Sequence, residues 1–209
     1  MPFDYIKDPA EIYRKSFEII ASEVELDRLP QPMAHVATRI IHACGMVDVM
    51  KDFAFTPGAA MSGIEALKRG APIYCDVEMV RSGIIRRNLP ANVEVVCTLN
   101  DPRLGDVEEQ NTRSANAVDL WDNLQGSVCV IGNAPTALYR LLERMEDGAG
   151  VPALVIAMPV GFVGAAESKD ELTRNKLGCH VISVLGRRGG SAMASAAVNA
   201  LTILAGMAE

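Results

Sequence analysis

The chain is short of aromatic side chains. Its 209 residues include five Phe, four Tyr and one Trp. It is also short of positive charge: 20 Lys and Arg stand against 26 Asp and Glu, a formal net charge of −6. A nucleic-acid binder needs a basic footprint and, for single strands, stacking platforms, so that class is excluded. Histidine is scarcer still, with His35, His42 and His180 alone. The five cysteines (Cys44, Cys75, Cys97, Cys129, Cys179) form no C-x-x-C pair and have no zinc spacing, so no metal site is expected. Reduced core cysteines in a cytoplasmic protein are the reading they support. The opening residues hold no basic segment followed by an apolar stretch, and no signal peptide is read there. Residues 189–208 are uncharged and long enough to span a bilayer. Their Gly, Ala and Ser content, with Asn199 and Thr202, points instead to a close-packed helix, and no membrane partner is expected.

Signature motifs are missing as well. There is no G-x-G-x-x-G after a strand, no G-x-x-x-x-G-K-[ST], no G-x-S-x-G and no H-E-x-x-H. Dinucleotide, nucleoside triphosphate, serine-hydrolase and zinc-protease chemistry therefore have no support, and no cofactor is expected.

What is present is a chain 49% hydrophobic and 22% charged, enough to fold as one domain over residues 1–209. Five apolar runs read as strands: 72–75, 93–99, 127–132, 153–160 and 180–185. They are continuous rather than alternating, the mark of strands buried on both faces. Helical periodicity separates them at 106–123, 136–146, 166–176 and 191–205. That order predicts an α/β fold with a parallel sheet covered on both sides. The first 70 residues read as helices only, at 9–25, 33–50 and 58–69. Asp8-Pro9-Ala10-Glu11 opens the first, with an N-cap aspartate and a proline at the first helical position.

Ligands in open parallel sheets gather at the carboxyl ends of the strands. Three glycine-bearing loops fall there, each before a helix: 132–136, 158–165 and 186–191. Such loops either offer backbone N–H groups to an anion or serve only turn geometry and packing. On the second helix, Met33, Val36, Ala37, Ile40, Ile41, Cys44 and Val47 share one arc, and His35, Arg39, His42 and Met46 a stripe opposite. His35 and His42 lie about two turns, near 10 Å, apart, too far to ligate one ion. The stripe is either a solvated face or a face turned to a ligand or second subunit. An imidazole beside a guanidinium is a competent proton donor and acceptor near neutral pH.

Arg39-Ile-Ile-His42-Ala-Cys44-Gly45 resembles the segment around the active-site histidine of the precorrin-8X methylmutase family. The resemblance extends through Tyr13-Arg-Lys-Ser16-Phe17, Asn111-Thr-Arg113-Ser-Ala115, Ile131-Gly-Asn133-Ala-Pro135-Thr-Ala137, residues 158–169 and Arg188-Gly-Gly-Ser191-Ala192. It follows the chain in order over nearly its whole length. It implies a flavodoxin-like three-layer sandwich with a five-stranded parallel sheet, and a homodimer whose active sites are shared. It implies an isomerase of cobalamin biosynthesis that moves a methyl group from carbon 11 to carbon 12 of precorrin-8X. The product is hydrogenobyrinic acid, or cobyrinic acid in the cobalt-containing route. By motif, His42 is the catalytic acid/base, and Ser16, Arg39, Arg113, Asn133, Gly164 and Ser191 bind substrate. The residues by themselves also allow a module that holds a tetrapyrrole without transforming it.

Overall fold

The computed structural model describes residues 3–104, 111–174 and 177–206. It opens with two helices, α1 (Pro9–Glu23) and α2 (Gln31–Cys44), then strand β1 (Phe53–Phe55) and helix α3 (Ala59–Lys68). There follow β2 (Ile73–Cys75), α4 (Glu78–Gly83), β3 (Val95–Val96), α5 (Arg113–Asp119), β4 (Val128–Ile131) and α6 (Pro135–Glu146). The chain continues through β5 (Leu154–Ala157), α7 (Ala165–Arg174), β6 (His180–Val184) and α8 (Ser191–Gly206).

The sheet order is β1-β6-β5-β4-β2-β3. Every pair is parallel except β1 with β6, where Phe53 faces Val184 and Phe55 faces Ile182. Counted among themselves, the five parallel strands have the flavodoxin-like order 2-1-3-4-5. The expectation of five strands is thus corrected to six. The added strand is three residues long and half-buried, too short for its alternation to stand out from the flanking helices.

The sheet separates two apolar layers. Ile73, Cys75, Val128, Val130, Leu154 and Ile156 pack with α2, α3 and α8. Tyr74, Cys129, Ile131, Val155 and Ala157 face the other way, toward Trp121 and the Leu138–Leu141–Leu142 ridge of α6. Trp121 stacks on Tyr74 at 5.2 Å, and its indole N–H donates to Thr98. The apolar stretch near the carboxyl terminus forms α8, buried beside α2 and α3. Among the described residues no helix is long and apolar enough to cross a membrane.

Helix boundaries follow local chemistry. Asp8 caps α1 by accepting from the Ala10 N–H at 3.0 Å. α2 stops at Cys44, six residues before the expected end, because Gly45 takes the left-handed conformation (φ 68°) and bonds back to the Ile41 carbonyl. Residues 47–51 then form a 3₁₀ turn, which removes Met46 from the helical stripe. The strand expected at 93–99 contracts to Val95–Val96. The helix expected at 106–123 begins at Arg113, where Thr112 caps it; residues 105–110 lie outside the described residues, as do 175 and 176.

Candidate active site

The apolar arc of α2 is buried as expected: Met33, Val36, Ala37, Ile40 and Ile41 all lie in the core. The opposite stripe is not a solvated face. α1 packs along it and leaves His35, Arg39 and His42 half-buried. Ser16 of α1 meets His42 of α2, with Oγ 2.8 Å from Nδ1. The His42 ring lies 5.2 Å from the Tyr13 ring and 5.5 Å edge-on from Phe17. The Arg39 guanidinium sits over the same rings, 5.6 Å from Tyr13 and 5.0 Å from Phe17. One i, i+4 aromatic pair therefore clamps both cationic-capable groups. Each such cation–π contact contributes about 0.5–1 kcal/mol where solvent reaches it. Nothing in the residue periodicity of α1 singled out Tyr13 and Phe17; their spacing matters only once α2 lies beneath.

Two polar atoms in this layer are buried without a hydrogen-bond partner, Nε2 of His35 and Nε of Arg39. Burial, then the neighbouring Arg39 charge, lowers the His35 pKa, so His35 is held neutral. His42 opens onto a cleft of about 410 Å³. It is lined by Ile12, Lys15, Ser16, Ile19 and Glu23 of α1, by Ile41 and His42 of α2, and by Ile6 and Val47. Three of the seven expected site residues, Ser16, Arg39 and His42, thus come together.

The other four lie toward the carboxyl edge of the sheet. The three glycine loops do converge there, but largely on one another. Asp76, which follows β2, is buried and accepts from the N–H groups of Gly132, Asn133 and Ala134 at 2.8–2.9 Å. Burial raises the Asp76 pKa, and these three bonds oppose the rise. Asp76 and loop 132–134 border the junction between β2 and β4, the point where the strand order reverses and flavodoxin-like folds bind ligands. The backbone donors an anion would use there are taken by this carboxylate.

Lys169 performs the matching task on the next two loops. Its ammonium is fully buried and donates to the carbonyls of Pro159, Val184 and Arg188 at 2.7–3.1 Å. Burial lowers its pKa to about 8. Gly189 lies so close to this edge that a Cβ there would stand 2.3 Å from the Met158 carbonyl oxygen. Neither Asp76 nor Lys169 carries a local sequence signal, since their partners are distant in the chain.

Asn133 is exposed at the start of α6. Gly164 has φ 78° and lies against Pro135 and Tyr139. Ser191 begins α8 with its Oγ buried and unpartnered. Arg113 donates through Nε to the Leu99 carbonyl at 2.8 Å. The two groups of residues are tied by Arg188, which pairs with Asp48 at 2.6 Å and Asp52 at 2.5 Å. Asp48 follows Val47 of the cleft, so the turn after α2 is pinned to the 186–191 loop. His180 lies at the opposite edge, 3.3 Å from Thr56 Oγ1. All five cysteines are free, and burial pushes Cys97 to about 11 and Cys129 to about 12. Cys44 leans on the carbonyls of Ile41 and Met46, a packing role.

The chain is similar to known proteins over nearly its whole length. The precorrin-8X methylmutase family model matches residues 11–204. A relative from Pseudomonas aeruginosa named precorrin-8X methylmutase is 54% identical over 95% of this chain and 97% of its own. One from Sinorhizobium with the same name is 52% identical over 95% and 96%. Relatives named cobalt-precorrin-8 methylmutase are 30–38% identical. The crystal structure of precorrin-8X methylmutase from Thermus thermophilus superposes with a TM-score of 0.80 and 35% identity, covering 94% of this chain and 98% of that one. The chain belongs to the precorrin-8X methylmutase family.

Proposed function

We propose that the chain is an isomerase of cobalamin biosynthesis that moves the methyl group of precorrin-8X from carbon 11 to carbon 12, giving hydrogenobyrinic acid. The observation that carries the mechanism is the contact between Ser16 and His42. With Nδ1–H of the imidazolium donating to the Ser16 hydroxyl oxygen, the Nε2–H is left free to face the substrate. His42 lends that proton to a ring nitrogen of the substrate and becomes a neutral imidazole. The protonated ring draws electron density from the migrating-methyl system and lowers the barrier to a [1,5] shift. The proton returns when the shift is complete, so no atom is gained or lost and no redox partner is required. General acid assistance of this kind contributes about 10²–10⁴-fold. Arg39, held by Tyr13 and Phe17, binds a substrate carboxylate, and Ser16 both orients His42 and borders the ligand. Arg113, Asn133, Gly164 and Ser191 bind further parts of the macrocycle.

The cleft holds about 410 Å³, near the small end of the roughly 300–1,000 Å³ typical of small-molecule sites. A tetrapyrrole with its side chains needs more. We infer that a second copy of the chain completes the site. Ile12, Tyr13 and Ile19 leave large apolar faces on α1 beside the cleft, each more than two-fifths exposed. The cobalt-free substrate is favoured over the cobalt-containing one because the relatives above 50% identity carry the cobalt-free name. A cytoplasmic location accompanies this reading.

The experiment is to mix precorrin-8X with the protein and follow its visible spectrum. The unaltered protein is expected to convert it, and His42→Ala to slow conversion by about 10²-fold or more while keeping its circular dichroism. A normal rate in His42→Ala removes His42 from the mechanism. Ligand released with unchanged absorption identifies a binding module instead. A fully active monomer in sedimentation refutes the shared site.

A further inference from the structure

We infer that Lys15 is a substrate-binding residue, the cation that engages a carboxylate on the rim of the tetrapyrrole while His42 faces its ring. The inference deepens the proposed function and rests on it. Ile12, Lys15, Ser16, Ile19 and Glu23 are spaced at i, i+3, i+4, i+7 and i+11, one face of α1, and that face lines the cleft. Lys15 precedes Ser16, whose hydroxyl is 2.8 Å from His42. A ligand seated on His42 therefore places its edge within one residue of the Lys15 ammonium.

The neighbouring arginines do not line this cleft. Arg14 pairs with Glu18 at 2.6 Å and lies 4.0 Å from Glu11, so its charge is spent along its own helix. Arg39 is held over Tyr13 and Phe17, so the carboxylate it binds is a different one. Lys15 has no hydrogen-bond or ion-pair partner among the described residues. The cleft walls are otherwise mostly isoleucine, with Glu23 the one carboxylate lining it. An apolar slot with one uncommitted cation at the histidine end and one carboxylate at the other is polarised. It accepts a flat apolar macrocycle in a single sense, carboxylate rim toward Lys15 and away from Glu23.

The test is a kcat and KM measurement with precorrin-8X on the full chain, across a range of ionic strength, for the unaltered protein, Lys15→Met and Lys15→Arg. Lys15→Met is expected to raise KM about 10-fold, leave kcat within twofold, and flatten the loss of kcat/KM with added salt. Lys15→Arg is expected to restore both KM and the salt dependence. An unchanged KM in Lys15→Met overturns the inference. So does a fall in kcat at constant KM, which would place Lys15 behind His42 instead of on the substrate. Failure of the unaltered protein to convert precorrin-8X overturns the parent reading, and this inference with it; that outcome is read before any variant is made.

Discussion

Lys169→Met removes a buried charge while keeping most of the side chain's volume. In the native fold the ammonium satisfies three carbonyls, those of Pro159, Val184 and Arg188, in a site closed to solvent. Methionine leaves all three without a donor, at a cost of about 2 kcal/mol each. Against this stands relief of the burial that lowers the lysine from 10.5 to about 8, worth roughly 3 kcal/mol. The net destabilisation is about 3 kcal/mol, which for a chain of this length lowers Tm by on the order of 10 °C. The pH dependence gives a second readout. An unfolded lysine holds its proton to about 10.4. Between about 8 and 10.4 the unfolded chain binds a proton that the folded chain has released, so this group makes stability rise with pH across that window. Below about 8 both states are protonated and its contribution is constant. The Tm difference between the unaltered protein and Lys169→Met, measured by scanning calorimetry, should therefore widen from pH 7 to pH 9. A difference below about 2 °C at pH 7 would refute the three-carbonyl argument. A gap that narrows with pH would show that the carbonyls hold the ammonium more firmly than burial opposes it.

Ser16→Ala removes the hydroxyl on Nδ1 of His42. It should lower kcat by roughly 2- to 12-fold, the value of one hydrogen bond, with KM changed less; an unaltered kcat would separate Ser16 from the chemistry. Asp76→Asn turns one of its two acceptor oxygens into a donor against loop 132–134. It should cost about 1–3 kcal/mol in urea denaturation, whereas an unchanged midpoint would mean the loop holds without it. Gly189→Ala forces a Cβ to 2.3 Å from the Met158 oxygen, so the loop must shift. A loss of about 1–3 kcal/mol is expected, and a neutral effect would contradict the close approach.

The parallel strands were legible because Val128–Ile131 and Leu154–Ala157 are buried on both faces and so appear as unbroken apolar runs. The arc of α2 was legible for the same reason of burial, one face at helical spacing. Its end was not, because Val47 keeps the apolar period across Gly45 and only the left-handed turn at Gly45 shows that the helix has stopped. β1 is held by its antiparallel pairing to β6, where Phe53 meets Val184 far along the chain, and three residues are too few to declare it. At the candidate site, the sequence named His42, Arg39 and Ser16 one by one through motif resemblance. It could not show that Ser16 would touch His42, because 26 residues separate them and the contact exists only when α1 packs on α2.

Asp76 illustrates the same limit with a larger consequence. The glycine loops suggested an anion site at the strand ends, and the loops do meet there. Their convergence, however, is satisfied from within. A carboxylate closes the 132–134 donors, and an ammonium gathers the carbonyls of the two neighbouring loops. A buried acid holding N–H groups and a buried base holding C=O groups make that edge a rigid platform with few free backbone donors. The cleft forms beside it, where α2 ends and Arg188 fastens Asp48 and Asp52. The helices that precede the parallel strands therefore line the cleft, and the 186–191 loop holds the turn that follows α2 in place.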